Sequence, residues 1–285
     1  MLHALTVGFL GAGNLTEAMV GGILKKGALL PGRIIVTNRG NGERLQDLRM
    51  RYGVRVTKTK AEVIRAADLV VVACKPKDVG ALLDEVGELF RPGQILLTAA
   101  AGVQTSLFAN RLAAGVEVVR CMPNTSCLVG ESATGIARGE GASAEALARC
   151  EAILGTMGTV VEVAESQLDA VTGLSGSGPA YIYYLVEVLM QAGAEVGLDP
   201  QLARSLVLQT IKGAALMLES TGADPALLRE QVTSPGGTTQ AGLTVLRERG
   251  FREALVACVG RATERASEMG AQLAAVVERS GHQGE

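Results

Sequence analysis

The sequence predicts an α/β chain in which a mainly parallel sheet wound with helices precedes an all-helical segment. Three observations carry this. Short β-branched runs alternate with helical stretches through the first half. Strand signals stop after about Val163. A glycine-rich turn stands directly between the first strand and the first helix. A chain of 285 residues exceeds what one core usually holds, so two domains are expected, residues 1–163 and 164–285.

Ala4–Leu10 is short and apolar and reads as the first strand. Arg33–Thr37, Val54–Val56, Leu69–Ala73, Gln94–Thr98 and Val116–Val119 continue the series. Leu69–Ala73 (LVVVA) is nearly pure valine, as a strand buried on both faces requires. Between them lie helical segments at Asn14–Lys26, Glu43–Tyr52, Ala61–Ala66, Val79–Phe90 and Gln104–Leu112. This alternation implies right-handed crossovers. Ala144–Met157 and Thr159–Val163 form a last helix–strand unit.

Beyond that, Tyr181–Glu195 reads as a helix. Asp199-Pro200 and Asp224-Pro225 each pair an N-cap with a first-turn proline. The helix opened by Asp199 carries one charge, Lys212, between Arg204 and Glu219. A helix apolar nearly all round must be covered on every side, and a partner subunit is the expected cover. Gln240–Arg249 and Phe251–Glu278 complete the helices.

Composition excludes several classes of function. Charge is balanced, with 27 basic and 29 acidic side chains, which argues against nucleic acid as the main ligand. Trp is absent, so aromatic stacking platforms are hard to build. The only histidines are His3 and His282, which removes Ser-His-Asp and Cys-His hydrolases and most zinc enzymes; no metal site is expected. Five scattered cysteines without a Cys-x-x-Cys read as reduced, mostly buried thiols. Met1–Leu10 reads as strand rather than as a secretion signal, and the uncharged run Pro92–Asn110 is too polar for a membrane span. The expectation is a cytoplasmic protein that binds no membrane. Residues 1–163 carry a net +3 and residues 164–285 a net −5, which mildly suits an anionic ligand on the first domain.

Six motifs carry chemistry. Gly11-Ala12-Gly13-Asn14-Leu15-Thr16 follows a strand and opens a helix, the context of a Rossmann-type dinucleotide site. Gly11 allows the tight turn, and Gly13 lets backbone approach a pyrophosphate at the helix N-terminus. The third position is Thr16 instead of Gly or Ala. The second strand ends in Thr37-Asn38-Arg39, with no carboxylate for a ribose 2′-hydroxyl and an Arg suited to a 2′-phosphate. NADPH is the expected cofactor, with NADH as the alternative. Cys74-Lys75-Pro76 and Ala99-Ala100-Ala101-Gly102 follow the next strands, at the edge where such sheets bind ligands. Arg120–Thr125 is read after the sixth strand, as crevice lining or plain surface loop. Ser175-Gly176-Ser177-Gly178-Pro179 is read as structural, with Ser177 as helix N-cap. Ser234-Pro235-Gly236-Gly237-Thr238-Thr239 precedes a helix and suits a substrate carboxylate.

Together these motifs resemble the pyrroline-5-carboxylate reductase family. The resemblance covers essentially the whole chain. It rests on GFLGAGN at 8–14, CKP at 74–76, TAAAGV at 98–103, MPNT at 122–125, DAVTGLSGSGPAY at 169–181 and SPGGTT at 234–239. It implies reduction of L-1-pyrroline-5-carboxylate to L-proline by hydride from NAD(P)H, the final step of proline biosynthesis. It implies a Rossmann-type domain followed by a helical domain that forms a homodimer, with assembly into a decamer. By position, Leu10, Gly11, Ala12, Gly13, Asn14 and Leu15 would meet the pyrophosphate. Asn38 and Arg39 would lie at the adenosine ribose. Ala73, Lys75, Pro76, Ala99, Ala100 and Ala101 would border the cofactor. Gly237 and Thr238 would offer amides to the substrate carboxylate, with Ser234 close by. Thr239 would hydrogen-bond the ring nitrogen as the catalytic residue. Thr238 stands where the family motif often has Ala. Such a reaction needs no strong acid or base, which fits the missing histidines. A β-hydroxyacid dehydrogenase would need a helical-domain lysine among glycines, and Lys212 has no such setting. A non-catalytic NADP sensor would need no SPGGTT loop.

Overall fold

The computed structural model describes residues 2 and 4–281, with side chains as far as residue 272; His3 and His282 lie outside the described residues. The sheet is built from β1 (Val7–Leu10), β2 (Ile34–Thr37), β3 (Arg55–Thr57), β4 (Leu69–Val72), β5 (Ile95–Thr98), β6 (Glu117–Met122), β7 (Ser132–Arg138) and β8 (Gly158–Glu162). Their spatial order is β3-β2-β1-β4-β5-β6-β7-β8. Every neighbouring pair is parallel except β6–β7. The chain reverses direction of travel between β1 and β4, which leaves a crevice at their carboxyl ends.

Period-two alternation sorts the strand residues onto two faces. Val7, Phe9, Leu69, Val71, Ile95 and Leu97 face α1 (Asn14–Lys25), α2 (Gly42–Tyr52) and α6 (Ala144–Leu154). Ile35, Val70, Val72 and Leu96 face α3 (Lys60–Ala66), α4 (Val79–Val86) and α5 (Thr105–Ala109). Helices on both faces of the sheet explain why β4 is Leu-Val-Val-Val: it has no wet side.

Five local expectations are corrected. The helix expected over Val79–Phe90 ends at Val86 and tightens into a 3-10 turn, and the one over Gln104–Leu112 shrinks to Thr105–Ala109. β6 runs on through Met122, so Arg120 is a strand residue, not a loop residue. β7 was not expected at all. Its sequence, SATGIAR, has small and polar side chains in place of a β-branched run. Its buried Ser132 and Thr134 hydroxyls bond to each other at 2.9 Å, which removes the cost of their burial. Ser177 makes no side-chain cap: α7 (Leu168–Val171) passes into a π turn at Thr172–Gly176, and Ser177 closes that turn in αR backbone (φ −85°, ψ −16°) directly before the next helix. Its amide donates to the Thr172 carbonyl at 2.8 Å.

The chain forms two compact units. The sheet unit comprises the described residues up to Ser177 together with those from Arg261 onward, and the second unit is Gly178–Gly260. The second holds α8 (Gly178–Glu195), α9 (Pro200–Thr221), α10 (Pro225–Gln231), α11 (Thr238–Glu248) and the start of α12 (Phe251–Gly281). Asp199 caps α9 by accepting from the Gln201 and Leu202 amides, and Asp224 caps α10 through Ala226, as expected. In this unit the apolar face of α9 stands open. Leu206, Leu208, Leu216, Met217 and Leu218 are all exposed in the single chain. A helix of this composition needs a cover that one copy of the chain does not supply.

Candidate active site

The turn after β1 is built by three features. Gly11 sits at φ 126°, a conformation that side chains rarely adopt. Gly13 is the N-cap of α1, in extended backbone, with no side-chain cap. The helix ladder starts with the Glu17 amide on the Gly13 carbonyl at 3.0 Å, so the amides of Asn14, Leu15 and Thr16 precede it. Unused amides at a positive helix end are an anion site. Thr16, the departure from the glycine pattern, is fully buried, and its hydroxyl donates to the Gly11 carbonyl at 2.9 Å. It stitches the turn to the helix, so the substitution strengthens the loop it interrupts.

A clamp holds this loop from outside. Arg44, on α2, donates from Nε to the Ala12 carbonyl at 3.1 Å. Glu17, on α1, accepts from both Arg44 and Arg51, and Tyr52 Oη also donates to it at 3.2 Å. Burial pushes the Glu17 carboxyl up, and the bonds from Arg44 and Arg51 outweigh this and hold it below the usual range. No sequence motif announced the clamp.

Beside the turn opens a crevice of about 480 Å³. Leu10, Gly11, Asn38, Arg39, Ala73 and Lys75 line it, so the carboxyl ends of β1, β2 and β4 meet there as the motifs required. Pro76 opens the 3-10 turn that follows Lys75. Ala12 is buried, Leu15 half-buried, and Gly13 and Asn14 exposed at the mouth of α1. Ala99 and Ala101 are half-buried after β5, and Ala100 is packed in the core with Leu10. Arg39 is 81% exposed and reaches Asp78 only at 3.9 Å. Cys74 also lines the crevice. Burial, with Asp78 adding to it, pushes its thiol up to about 11, so it stays protonated and inert near neutral pH. The unused amides, the glycine turn and the basic rim together fit a dinucleotide.

The MPNT segment does not line this crevice. Asn124 caps a 3-10 turn through the Ser126 amide and donates from Nδ2 to the Ser175 carbonyl at 3.0 Å. It ties the end of β6 to the π turn. Arg120 lies buried beneath, facing Glu165 at 3.6 Å and Asp169 at 3.4 Å.

In the second unit, the Ser234–Thr239 loop enters α11. Gly236 sits at φ 71°, and a Cβ on Gly237 would collide with the Ser234 hydroxyl. The Gly237 amide is spent inside the turn, donating to the Ser234 carbonyl at 3.0 Å. The amide that the sequence resemblance assigns to a ligand is thus bonded within the loop here. The ladder starts with the Ala241 amide on Gly237 at 3.1 Å, which leaves the amides of Thr238, Thr239 and Gln240 ahead of it. Thr238 and Thr239 are exposed, as is Ser234.

Comparison with known proteins identifies what this arrangement belongs to. A pyrroline-5-carboxylate reductase dimerisation model matches residues 165–269, and a model of NADP oxidoreductases, coenzyme F420-dependent, matches residues 6–102. The chain is 43% identical over 263 residues to pyrroline-5-carboxylate reductase 1 of Bacillus subtilis, covering 92% of this chain and 89% of that one. The chain belongs to the pyrroline-5-carboxylate reductase family. The family extends across kingdoms, with the Arabidopsis thaliana reductase 38% identical over 94% of this chain and 96% of its own. The fold follows the same relatives. A reductase structure from Coxiella burnetii superposes with a TM-score of 0.88 at 34% identity, over 93% of this chain and 98% of that one. The Plasmodium falciparum reductase, solved with NADP bound, gives 0.84 at 27%, over 95% and 100%. The family's dimerisation segment contains the helices whose apolar faces stand open here, and the chain is a homo-oligomer. As a member of this family the chain is an NAD(P)H-dependent oxidoreductase with a Rossmann-type domain. No helix among the described residues is long and apolar enough to cross a membrane.

Proposed function

We propose that this chain reduces L-1-pyrroline-5-carboxylate to L-proline, the closing step of proline biosynthesis, with NADPH bound at the sheet crevice and the imine held on the Ser234–Thr239 loop. The observation that carries the reading is the pair of glycine-built helix N-termini, one opening α1 and one opening α11, each with three amides free of the helix ladder. A pyrophosphate and a substrate carboxylate are the two anions the reaction brings together. The nicotinamide, when bound, supplies the hydride.

The protein's share is placement. The amides of Asn14, Leu15 and Thr16 bind the pyrophosphate, with Leu10, Gly11, Ala12 and Gly13 forming the turn around it. Asn38 and Arg39 serve the ribose phosphate. Ala73, Lys75 and Pro76, with Ala99, Ala100 and Ala101, border the rest of the cofactor. On the second loop the amides of Thr238 and Thr239 take the carboxylate, and Gly237 and Ser234 shape the turn. The Thr239 hydroxyl hydrogen-bonds the ring nitrogen, orienting the C=N carbon for attack. An iminium that arrives protonated needs no general acid, and no buried histidine is called for. The functional division is placed at residues 163 and 164, cofactor domain before it and substrate domain after it, ahead of the break between compact units at Ser177. Within the homodimer, the loop of one subunit serves the cofactor domain of its partner, and dimers assemble into a decamer in the cytoplasm.

The test is direct. Purified protein is mixed with pyrroline-5-carboxylate and NADPH, then with NADH, and loss of the reduced nicotinamide absorbance is followed with proline as product. Thr239→Ala should leave NADPH binding intact and cut turnover by about tenfold or more. Unchanged turnover removes Thr239 from the mechanism. No oxidation by a folded protein that still binds NADPH overturns the substrate assignment.

A further inference from the structure

The crevice holds a cation that the glycine and β2 motifs do not include. Lys60 is the first residue of α3, three positions past β3. Its side chain is 19% exposed, much less than the 81% of Arg39. β2 and β3 pair with Thr37 opposite Thr57, so Asn38-Arg39 and Lys60 leave neighbouring strand ends on the same edge. The pyrophosphate amides lie at the end of β1, on the far side of β2. Lys60 therefore serves the outer, adenosine end of the crevice and not its pyrophosphate end. Its ion-pair partner is Glu85 on α4, which lies at the rim with 58% exposure.

The Lys60 side chain is mostly covered, and its ammonium reaches the rim, where it takes a counter-charge. Glu85 supplies one when the crevice holds no phosphate. A 2′-phosphate entering between Arg39 and Lys60 would supply a stronger one, and Glu85 can turn to water at little cost. We propose that Lys60 is the principal reader of the 2′-phosphate, and that Glu85 competes with that phosphate for the same ammonium and so sets the margin of NADPH over NADH. Arg39, solvated and loosely paired, adds attraction with less discrimination. This inference rests on the cofactor reading of the crevice and deepens it.

Adenosine 2′,5′-bisphosphate and adenosine 5′-monophosphate separate the two, because only the first carries the 2′-phosphate. Their binding to the full chain is measured by titration calorimetry. Lys60→Gln should weaken the bisphosphate by about tenfold and leave the monophosphate within about twofold. Glu85→Gln should tighten the bisphosphate by a few-fold, again without moving the monophosphate. In the double variant the gain from Glu85→Gln should vanish, since its effect acts through Lys60. The same variants should move KM for NADPH and leave KM for NADH and both kcat values in place. Equal losses for both nucleotides would show a packing role for Lys60 and overturn the inference. So would a Glu85→Gln variant that tightens nothing. Wild-type protein that binds neither nucleotide would overturn the cofactor reading beneath it.

Discussion

Replacing Gly13 by alanine separates the ligand reading of the first loop from its structural reading. Gly13 has φ −77° and ψ −175°, a backbone that alanine adopts freely, and a Cβ there would meet no atom within 4 Å. Losing glycine as an N-cap costs about 0.5–1 kcal/mol. The stiffer unfolded chain returns about 0.4–1 kcal/mol. The two nearly cancel, so Tm should move by no more than about 2 °C. Binding has no such compensation. The new methyl would stand before the free amides of Asn14 and Leu15, where the pyrophosphate is placed. Loss of one charge-assisted hydrogen bond, about 1.5–3 kcal/mol, weakens NADPH by roughly 10- to 150-fold. Gly11→Ala is the contrast. At φ 126° with the Ala73 carbonyl 3.4 Å from the new Cβ, it should lose about 1–3 kcal/mol of stability as well as binding. Thermal melting and NADPH titration on both variants decide the matter. A Gly13→Ala protein that melts like wild type and binds NADPH equally well would refute the placement of the pyrophosphate.

Three further perturbations address the clamp, the crevice thiol and the open helix face. Glu17→Gln removes the carboxylate that Arg44 and Arg51 hold below its ordinary 4.5. A depressed carboxyl stabilises the fold above its unfolded value and loses that contribution as pH falls through the folded one. The variant should therefore melt lower than wild type at neutral pH, by about 1 kcal/mol, with the gap narrowing as pH falls below 4.5; a gap that persists in acid would remove the ion pairs as its cause. Cys74, raised to about 11, should resist iodoacetamide near neutral pH, react faster as pH climbs toward that value, and be shielded by NADPH; rapid, unshielded alkylation at neutral pH would move it out of the crevice. The raised thiol also makes its stability contribution complete below 9.0 and lost as pH rises toward 11, so Cys74→Ser should flatten the alkaline limb of stability against pH. Met217→Glu places a charge on the exposed apolar face of α9. A single chain would tolerate it, whereas an oligomer buried there should dissociate, read as a smaller species by light scattering with a lower Tm.

How much of this was legible in the sequence depended on the range of the interaction that fixed each feature. β1, β2, β4 and β5 are apolar on both faces because helices cover both, and that leaves a continuous hydrophobic run in the chain. β7 leaves none, since its buried partners are a serine and a threonine that satisfy each other, a solution that looks like loop when read residue by residue. The Ser-Gly-Ser-Gly stretch carries every local mark of a helix start. Its π turn is decided by groups about 50 residues away, where Asn124 takes the Ser175 carbonyl and Met122 fills the space beside Gly176. The Gly11–Thr16 turn was readable because backbone does the work there, while the Arg44 clamp on Ala12 was not, because nothing in a surface helix marks one arginine as reaching across 32 residues. The Ser234–Thr239 loop shows the same limit at the scale of one atom. Its glycines announce an anion-binding turn, yet the turn consumes the amide of Gly237 and passes the free row on to Thr238, Thr239 and Gln240. The residue that the turn needs as glycine and the residues whose amides stand free of the ladder are therefore neighbours and not the same, a distinction that only backbone geometry can draw.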